Sequence, residues 1–158
     1  MKKFLTLAAL AFAVPAMAQV MPASEYVKTA GASDLFERTS AKVVLETTTN
    51  PQVRSFATMM LGDHGKSSAM VKAAAAKSKV RVAPPMLTPT QNEMIAELRA
   101  ETGTARDATY IAQQKAAHGQ ALAVQQAYAA DGTAAPLRTA ASKIVPVVQM
   151  HIKMLMAM

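Results

Sequence analysis

Four long stretches of this sequence repeat small or apolar residues at intervals of three and four, and this periodicity restricts the fold more than any other feature. The stretches cover approximately residues 24–48, 51–78, 106–130 and 136–158. That spacing lines one face of an α-helix with side chains that can be buried. No stretch of useful length alternates with the period of two that a half-buried β-strand requires. The sequence therefore predicts an all-α fold.

Residues with known preferences for helix ends mark the boundaries of these stretches. Ser24 is available as the N-cap of the first helix, and Asn50-Pro51 supplies an N-cap and a proline at the first position of the second. A proline-containing extended connection follows, and a short helix is predicted from Thr88-Pro89 to just before Gly103. Two pairs of long helices, joined by a connection that contains a short crossing helix, predict a four-helix bundle.

Helix-breaking residues lie close to two of the three histidines. Gly62 and Gly65 flank His64, and each costs about 1 kcal/mol relative to alanine inside a helix. Their presence predicts close packing or a bend around His64. Pro146 lies inside the last helix and predicts a kink one turn before His151.

The first eighteen residues have the three parts of a secretory signal peptide. Lys2 and Lys3 precede an apolar run over residues 4–14, and the small-x-small triplet Ala-Met-Ala follows at residues 16–18. The apolar run is shorter than the roughly 20 residues that a membrane span needs, and no later segment is apolar enough. The sequence predicts a cleaved signal peptide at residues 1–18, one domain over residues 19–158, and a periplasmic protein that is not transmembrane.

The composition excludes several classes of function. The absence of cysteine excludes a disulfide scaffold, a thiolate zinc site, an iron–sulfur cluster and a cysteine nucleophile. The absence of tryptophan and the low aromatic content of 4% argue against a surface that stacks on nucleic-acid bases. The sequence has no nucleophile-elbow motif, glycine-rich phosphate loop or dinucleotide fingerprint. Neither a nucleic-acid partner nor a particular enzymatic reaction is therefore predicted.

All three histidines lie on the small or apolar face of a long helix, each on a different helix. Glu37 occupies the corresponding face of the remaining one. His64, His118 and Glu37 are about 12 to 13 residues from the starts of their helices, which places them at similar depths at 1.5 Å per residue. Inward side chains on facing helices form the metal sites of bundles. Glu37, His64, His118 and His151 are therefore predicted to bind a transition metal such as Zn²⁺, Fe²⁺, Mn²⁺ or Cu²⁺.

Two aspartates are predicted to support these ligands without binding the metal themselves. Asp34 shares the inner face of the first helix, whereas Asp63 is about 100° around its helix from His64 and is expected to orient or pair. The alternative is a purely structural network in which His64 bonds to Glu37 or Asp34, since an unpaired buried polar group costs about 1–3 kcal/mol. In that case the chain would be a non-enzymatic envelope or stress-associated interaction protein.

The di-iron pattern of ferritin-like proteins is absent from the sequence. That pattern needs a glutamate three residues before a histidine on each of two helices. Leu61, Lys115 and Val148 occupy those positions here. A carboxylate-bridged di-iron oxidase is therefore not expected.

Positive charge is concentrated in one segment of the chain. Between His64 and Asn92 there are five basic residues and no acidic one, namely Lys66, Lys72, Lys77, Lys79 and Arg81. This basic segment favours contact with an anionic envelope surface. Alternatively, lysines near the end of a helix complement the helix dipole.

Three parts of the sequence are similar to one bacterial family. The run Phe-Ala-Thr-Met-Met-Leu-Gly-Asp-His at residues 56–64, the segment at residues 110–118, and the segment from Pro146 to His151 resemble the exported "domain of unknown function 4142" proteins. Glu37 matches the first-helix glutamate of that family. The resemblance covers about residues 26–155 and implies a ferritin-like four-helix bundle, exported or associated with the outer membrane, with no established activity. Ala117 departs from the acidic residue that is usual before the third-helix histidine.

Overall fold

The computed structural model describes residues 20–158, and every regular element in that part of the chain is an α-helix. The helices are α1 (Ala23–Leu45), α2 (Pro51–Lys77), α3 (Pro89–Ala100), α4 (Gly103–Asp131) and α5 (Ala135–Met156). The prediction of an all-α bundle of four long helices, with a short helix between the second and third, is confirmed. The predicted signal peptide at residues 1–18 lies outside the described residues.

Side-chain caps fix the starts of two helices as the sequence indicates. The Asn50 side chain accepts hydrogen bonds from the backbone N–H groups of Gln52 (2.9 Å) and Val53 (3.4 Å). Thr88 and Gln91 form a reciprocal capping box at the start of α3. Such a cap contributes about 1 kcal/mol to stability, because it satisfies an N–H group that has no partner within the helix.

The N-cap predicted at Ser24 and the close packing predicted at Gly62 and Gly65 are wrong. Helix α1 begins at Ala23 and is preceded by Pro22 without a side-chain cap, so Ser24 lies inside the first turn. A Cβ atom added at Gly62 or Gly65 would meet no atom within 4 Å, so close packing does not explain these glycines. The space beside them is open, and the helix continues through both positions.

Contacts at the two ends of the bundle give the directions of the helices. The Tyr26 ring, at the start of α1, stacks on Tyr128 near the end of α4, with ring centroids 3.9 Å apart. At the opposite end, the Thr48 hydroxyl donates to Asp107 near the start of α4 (2.9 Å). Helices α1 and α4 are therefore antiparallel, which makes α2 and α4 parallel. Two successive parallel helices require a long crossover between them.

The crossover passes along the outside of α1. A Cβ atom at Gly31, near the start of α1, would lie 3.3 Å from Cβ of Pro85. Helix α3 then buries Ile95 and Leu98 in the apolar cluster around the other end of the bundle. The crossover ends at Gly103, whose φ of +56° is a conformation that glycine adopts without steric cost. Gly103 is thus the first residue of α4 rather than only the end of the short helix.

The core has two apolar clusters with a polar layer between them. One cluster includes Tyr26, Val71, Tyr128 and Leu137, and the other includes Phe36, Phe56, Leu98, Tyr110 and Leu155. The buried residues Asp34, His64, His118 and His151 lie between the two clusters along their helices, and buried Glu37 directly follows Phe36 of the second cluster. Helix α5 runs through Pro146 to bring His151 into this layer. Among residues 20–158, no helix combines the length and apolar character needed to cross a membrane.

Candidate metal centre

The three histidines meet in the polar layer of the bundle. One ring nitrogen from each of His64, His118 and His151 lies within 4.8 Å of the other two. The ring centroids are 5.3 to 5.8 Å apart, and the exposed fractions of these residues are 7%, 1% and 1%. The side chains come from α2, α4 and α5, so the site depends on the assembled bundle.

Two of the three rings each have one nitrogen in contact with a carboxylate. Nδ1 of His64 is 2.8 Å from Asp34 Oδ1, and the other oxygen of Asp34 accepts a hydrogen bond from the Ser68 hydroxyl (2.9 Å). Nε2 of His151 is 3.3 Å from Asp63 Oδ2. Because an ionised carboxylate only accepts hydrogen bonds, the ring proton belongs on the nitrogen that faces it. The lone pair is then on His64 Nε2 and on His151 Nδ1.

A backbone carbonyl orients the third ring in the same way. The His118 Nδ1 atom is 3.0 Å from the carbonyl oxygen of Gln114, one turn earlier in α4. Its proton therefore belongs on Nδ1, and the lone pair belongs on Nε2. That Nε2 atom is 3.3 Å from Nδ1 of His151, while Nε2 of His64 is buried and has no hydrogen-bond partner among the described residues. Three lone pairs thus converge, and a cation between them would remove their mutual repulsion.

The pKa values of two of the three rings agree with this arrangement, whereas that of His64 shifts in the opposite direction. Burial lowers the pKa of His118 to about 3, helped by the charges of the other two histidines. Burial also lowers the pKa of His151, although the hydrogen bond to Asp63 acts to raise it. Burial of His64 acts in the same direction, but its hydrogen bond to Asp34 and the neighbouring carboxylate charges outweigh it and raise the pKa. His118 and His151 are therefore neutral at pH 7, which is the form that binds metals.

The spacing of the ring nitrogens is close to that around a tetrahedral ion. With Zn–N bonds of about 2.0–2.1 Å, two ligands of a tetrahedral ion are about 3.3–3.4 Å apart. The 3.3 Å separation of His118 Nε2 and His151 Nδ1 agrees with this value. The remaining separations, at most 4.8 Å, need to shorten by no more than about 1.5 Å to reach the same value. The three rings can therefore hold one ion with small movements.

Glu37 lies beside the three rings rather than among their converging nitrogens. Its Oε1 atom is 3.7 Å from Nδ1 of His118, the nitrogen on the outer side of that ring. Its Oε2 atom is buried without a partner among residues 20–158, and burial raises the pKa of the carboxyl to about 7. The structure brings Glu37 next to the predicted ligands, and its role as a direct metal ligand stays a prediction.

Sequence reasoning did not identify two groups that orient the histidines. The Gln114 carbonyl accepts a hydrogen bond from His118, and the Ser68 hydroxyl donates one to Oδ2 of Asp34, the oxygen that does not contact His64. Gln114 is four residues before His118, and Ser68 is four residues after His64. A search for polar side chains one helical turn from each buried histidine would have found Ser68. The carbonyl of residue 114 has no sequence signal, because every residue type supplies one.

The basic side chains of the basic segment point to solvent. All five of its residues, Lys66, Lys72, Lys77, Lys79 and Arg81, are exposed. Lys66 donates a hydrogen bond to Asp63 (2.9 Å), and this contact, together with that of His151, lowers the pKa of the Asp63 carboxyl even though burial would raise it. The other four lie towards the end of α2 and in the crossover that follows.

Comparison with known structures agrees with the fold. A DUF305 protein from Streptomyces coelicolor, described as a candidate secreted protein, superimposes with a TM-score of 0.70. The sequences are 14% identical, and the match covers 85% of this chain and 88% of the other. At this identity the similarity shows a shared helical-bundle fold.

Comparison with known sequences gives the family. No curated protein matches the chain at a significant level. The family described as "Domain of unknown function (DUF4142)" matches residues 9–158, which include the candidate site and the whole bundle. The chain therefore belongs to the DUF4142 family.

Proposed function

We propose that this protein binds one divalent transition-metal ion in the bundle core through His64, His118 and His151. The observation that carries the proposal is the grouping and orientation of the rings. One nitrogen of each ring lies within 4.8 Å of one nitrogen of the other two, and each ring also has a nitrogen facing an acceptor, which leaves its second nitrogen available to a metal. Metal-binding histidines commonly donate their second nitrogen to a carboxylate or a backbone carbonyl in this way.

A structural network without a metal explains the same site less well. In such a network each buried nitrogen would find a hydrogen-bond partner, because leaving one unpaired costs about 1–3 kcal/mol. The His64 Nε2 atom is buried without one among the described residues. His151 could donate from Nδ1 to His118 Nε2 as a neutral ring, but its unprotonated Nε2 would then face the Asp63 carboxylate, and a cationic ring is disfavoured because burial lowers the pKa of both histidines. A metal ion satisfies all three nitrogens together.

Zn²⁺ and Cu²⁺ are the ions that we expect to bind most tightly. Imidazole nitrogen suits the later first-row metals, and the affinity order rises from Mn²⁺ through Fe²⁺ to Cu²⁺. Three neutral imidazoles leave at least one coordination position for another ligand. Glu37 or a molecule from solution could occupy it.

Metal titration of matched variants tests the proposal. In equilibrium dialysis against Zn²⁺ and Cu²⁺, the wild-type protein should bind one ion per chain, and His64→Ala should lose this site. Ser67→Ala, also on α2 beside the site, should retain it, because no ring of the site bonds to Ser67. Glu37→Gln should show whether the glutamate is a ligand. Equal metal uptake by wild type and His64→Ala would reject the proposal in favour of the structural network.

We also propose that the protein is exported to the periplasm, with cleavage after residue 18. The order of basic start, apolar run and small-x-small triplet at residues 1–18 supports this, as does the description of the structural neighbour. N-terminal sequencing of the exported protein should begin at Gln19. Retention of Met1 would contradict the proposal.

The basic segment supports a further proposal, that the protein binds an anionic surface of the cell envelope. Lys72, Lys77, Lys79 and Arg81 are exposed, and none of them forms an ion pair with a carboxylate of residues 20–158. Vesicles that contain anionic phosphatidylglycerol should sediment with the protein at low salt and release it at high salt. Zwitterionic vesicles are the control, and equal binding to both would contradict this contact.

A further inference from the structure

A cavity of about 130 Å³ reaches the three-histidine site from the surface of the bundle. His64 and His151 form part of its lining, whereas His118 does not. The cavity thus meets the site at two of its three rings, next to the Asp34 and Asp63 carboxylates that contact them. Because three imidazoles leave a coordination position open, the cavity is where a ligand from solution can complete the coordination.

The charges that line the cavity favour an anion once a metal is bound. Asp34 and Asp63 are the acidic residues of the lining, and Lys66 and Lys143 are the basic ones. These four charges sum to zero, so binding of a divalent ion gives the site and cavity together an excess of two positive charges. Lys143 is exposed and forms no ion pair with a carboxylate in the part of the chain that the structure describes. It is thus free to attract an anion to the cavity.

The walls of the cavity are suited to a short aliphatic group. Most of the exposed surface of the lining is apolar, and Ala30, Met70, Ala121, Ile144 and Val148 contribute to it. A cavity of about 150 Å³ with apolar walls can hold a molecule of the size of benzene, so this one accommodates about six non-hydrogen atoms. Burial of each methylene group there contributes to binding.

We propose that the cavity binds small aliphatic monocarboxylates, with the carboxylate on the open coordination position of the metal and the alkyl chain against the apolar walls. This inference rests on the proposed metal site. It adds the chemical class of the external ligand, which neither the family nor the structural neighbour indicates. The carboxylate supplies oxygen ligation and negative charge, and the length of chain that fits is set by the cavity volume.

Cobalt substitution gives a direct test, because Co²⁺ in such a site has visible d–d bands that respond to a change of ligand. The tag-free protein loaded with Co²⁺ is titrated with formate, acetate, propionate, butyrate and hexanoate. Affinity should rise about fourfold for each methylene added between acetate and butyrate. It should rise less beyond butyrate, when the cavity is full.

Variants at and away from the cavity separate its role from general effects. Ala121→Leu fills the cavity from α4 and should weaken butyrate binding at least tenfold, with the Co²⁺ bands retained. Ala129→Leu is the control, because Ala129 is also partly buried on α4 but does not line the cavity. If Ala121→Leu does not fold, Lys143→Glu at an exposed position should still weaken butyrate binding severalfold at low salt.

The outcomes distinguish this inference from the metal proposal on which it rests. Co²⁺ bands that no carboxylate alters, or an affinity that does not depend on chain length, would overturn the cavity as a carboxylate site and leave the metal site intact. A protein that shows no d–d bands with stoichiometric Co²⁺ would overturn the metal proposal and this inference with it.

Discussion

Asp34→Asn is expected to weaken metal binding without displacing any of the three histidines. The Asp34 carboxylate faces His64 Nδ1 at 2.8 Å and also accepts a hydrogen bond from Ser68. Asparagine retains one oxygen that can accept from the ring but lacks the charge that makes the imidazole a stronger ligand. Loss of such a supporting group lowers metal affinity by about 10- to 100-fold, which equals about 1.4–2.8 kcal/mol.

Thermal melting measures this loss of metal affinity as a smaller metal-induced rise in Tm. At a free metal concentration of 100 times the wild-type Kd, binding stabilises the wild-type protein by about 2.7 kcal/mol. The same concentration stabilises a variant with 10- to 100-fold weaker affinity by about 0.4–1.4 kcal/mol. For a domain of this size, 1 kcal/mol changes the Tm by about 3–5 °C. The rise in Tm caused by metal should fall from about 8–13 °C to about 1–7 °C.

Ser68→Ala is the matched control for this experiment. It removes the other hydrogen bond to Asp34 but leaves the carboxylate beside His64. Most of the metal-induced rise in Tm should therefore remain in Ser68→Ala. An equal rise in wild type and Asp34→Asn would refute the reasoning that Asp34 strengthens a metal ligand.

The remaining predictions concern the stability of the metal-free protein, with metal affinity measured separately where it is named. The pKa of Glu37 is raised from 4.5 to about 7 by folding, so the folded state loses stability as pH rises through this range. Glu37→Gln removes that loss, and its advantage over wild type in urea unfolding should grow by about 2–3 kcal/mol between pH 5 and pH 8; an advantage that does not change with pH would contradict the burial of this carboxyl. Asn50→Ala should lower the free energy of unfolding by about 1 kcal/mol through loss of the α2 cap, with metal affinity unchanged; a change in affinity would argue against this separation. A Cβ at Gly132 would lie 2.5 Å from Tyr128, whereas one at Gly119 inside α4 would meet nothing within 4 Å. Gly132→Ala should therefore destabilise by about 2 kcal/mol, and Gly119→Ala should stabilise by up to about 1 kcal/mol; the reverse order in thermal melts would contradict the packing at Gly132.

The helices could be predicted because their signals are local. Periodicity gave the four long helices, and Asn50-Pro51 and Thr88-Pro89 gave two of their starts. The start of α1 was misplaced because Pro22, with φ at −60° and an extended ψ, lets the helix begin two residues earlier than a Ser24 cap would. Glycines in open space are equally ambiguous, since the sequence alone does not distinguish Gly62 from a glycine at a close contact.

The sequence predicts that the histidines lie close together, but it does not predict which carboxylate contacts which ring. Counting residues from the helix starts indicates depth, because the rise per residue is constant, and the structure does bring His64, His118 and His151 together. Which carboxylate meets which ring depends on how each helix is rotated about its axis, and a shift of one residue turns a side chain by about 100°. The sequence left His64 with Asp34 or Glu37 as partner, and the assembled bundle selects Asp34.

Elemental analysis of the tag-free protein, purified from the compartment to which it is exported, tests the metal site most directly. The account predicts close to one zinc or copper ion per chain in the wild-type protein and less than a tenth of that in His151→Ala. Absence of stoichiometric metal, together with identical melting of the wild type in chelator and in Zn²⁺, Cu²⁺, Mn²⁺ or Fe²⁺, would contradict it.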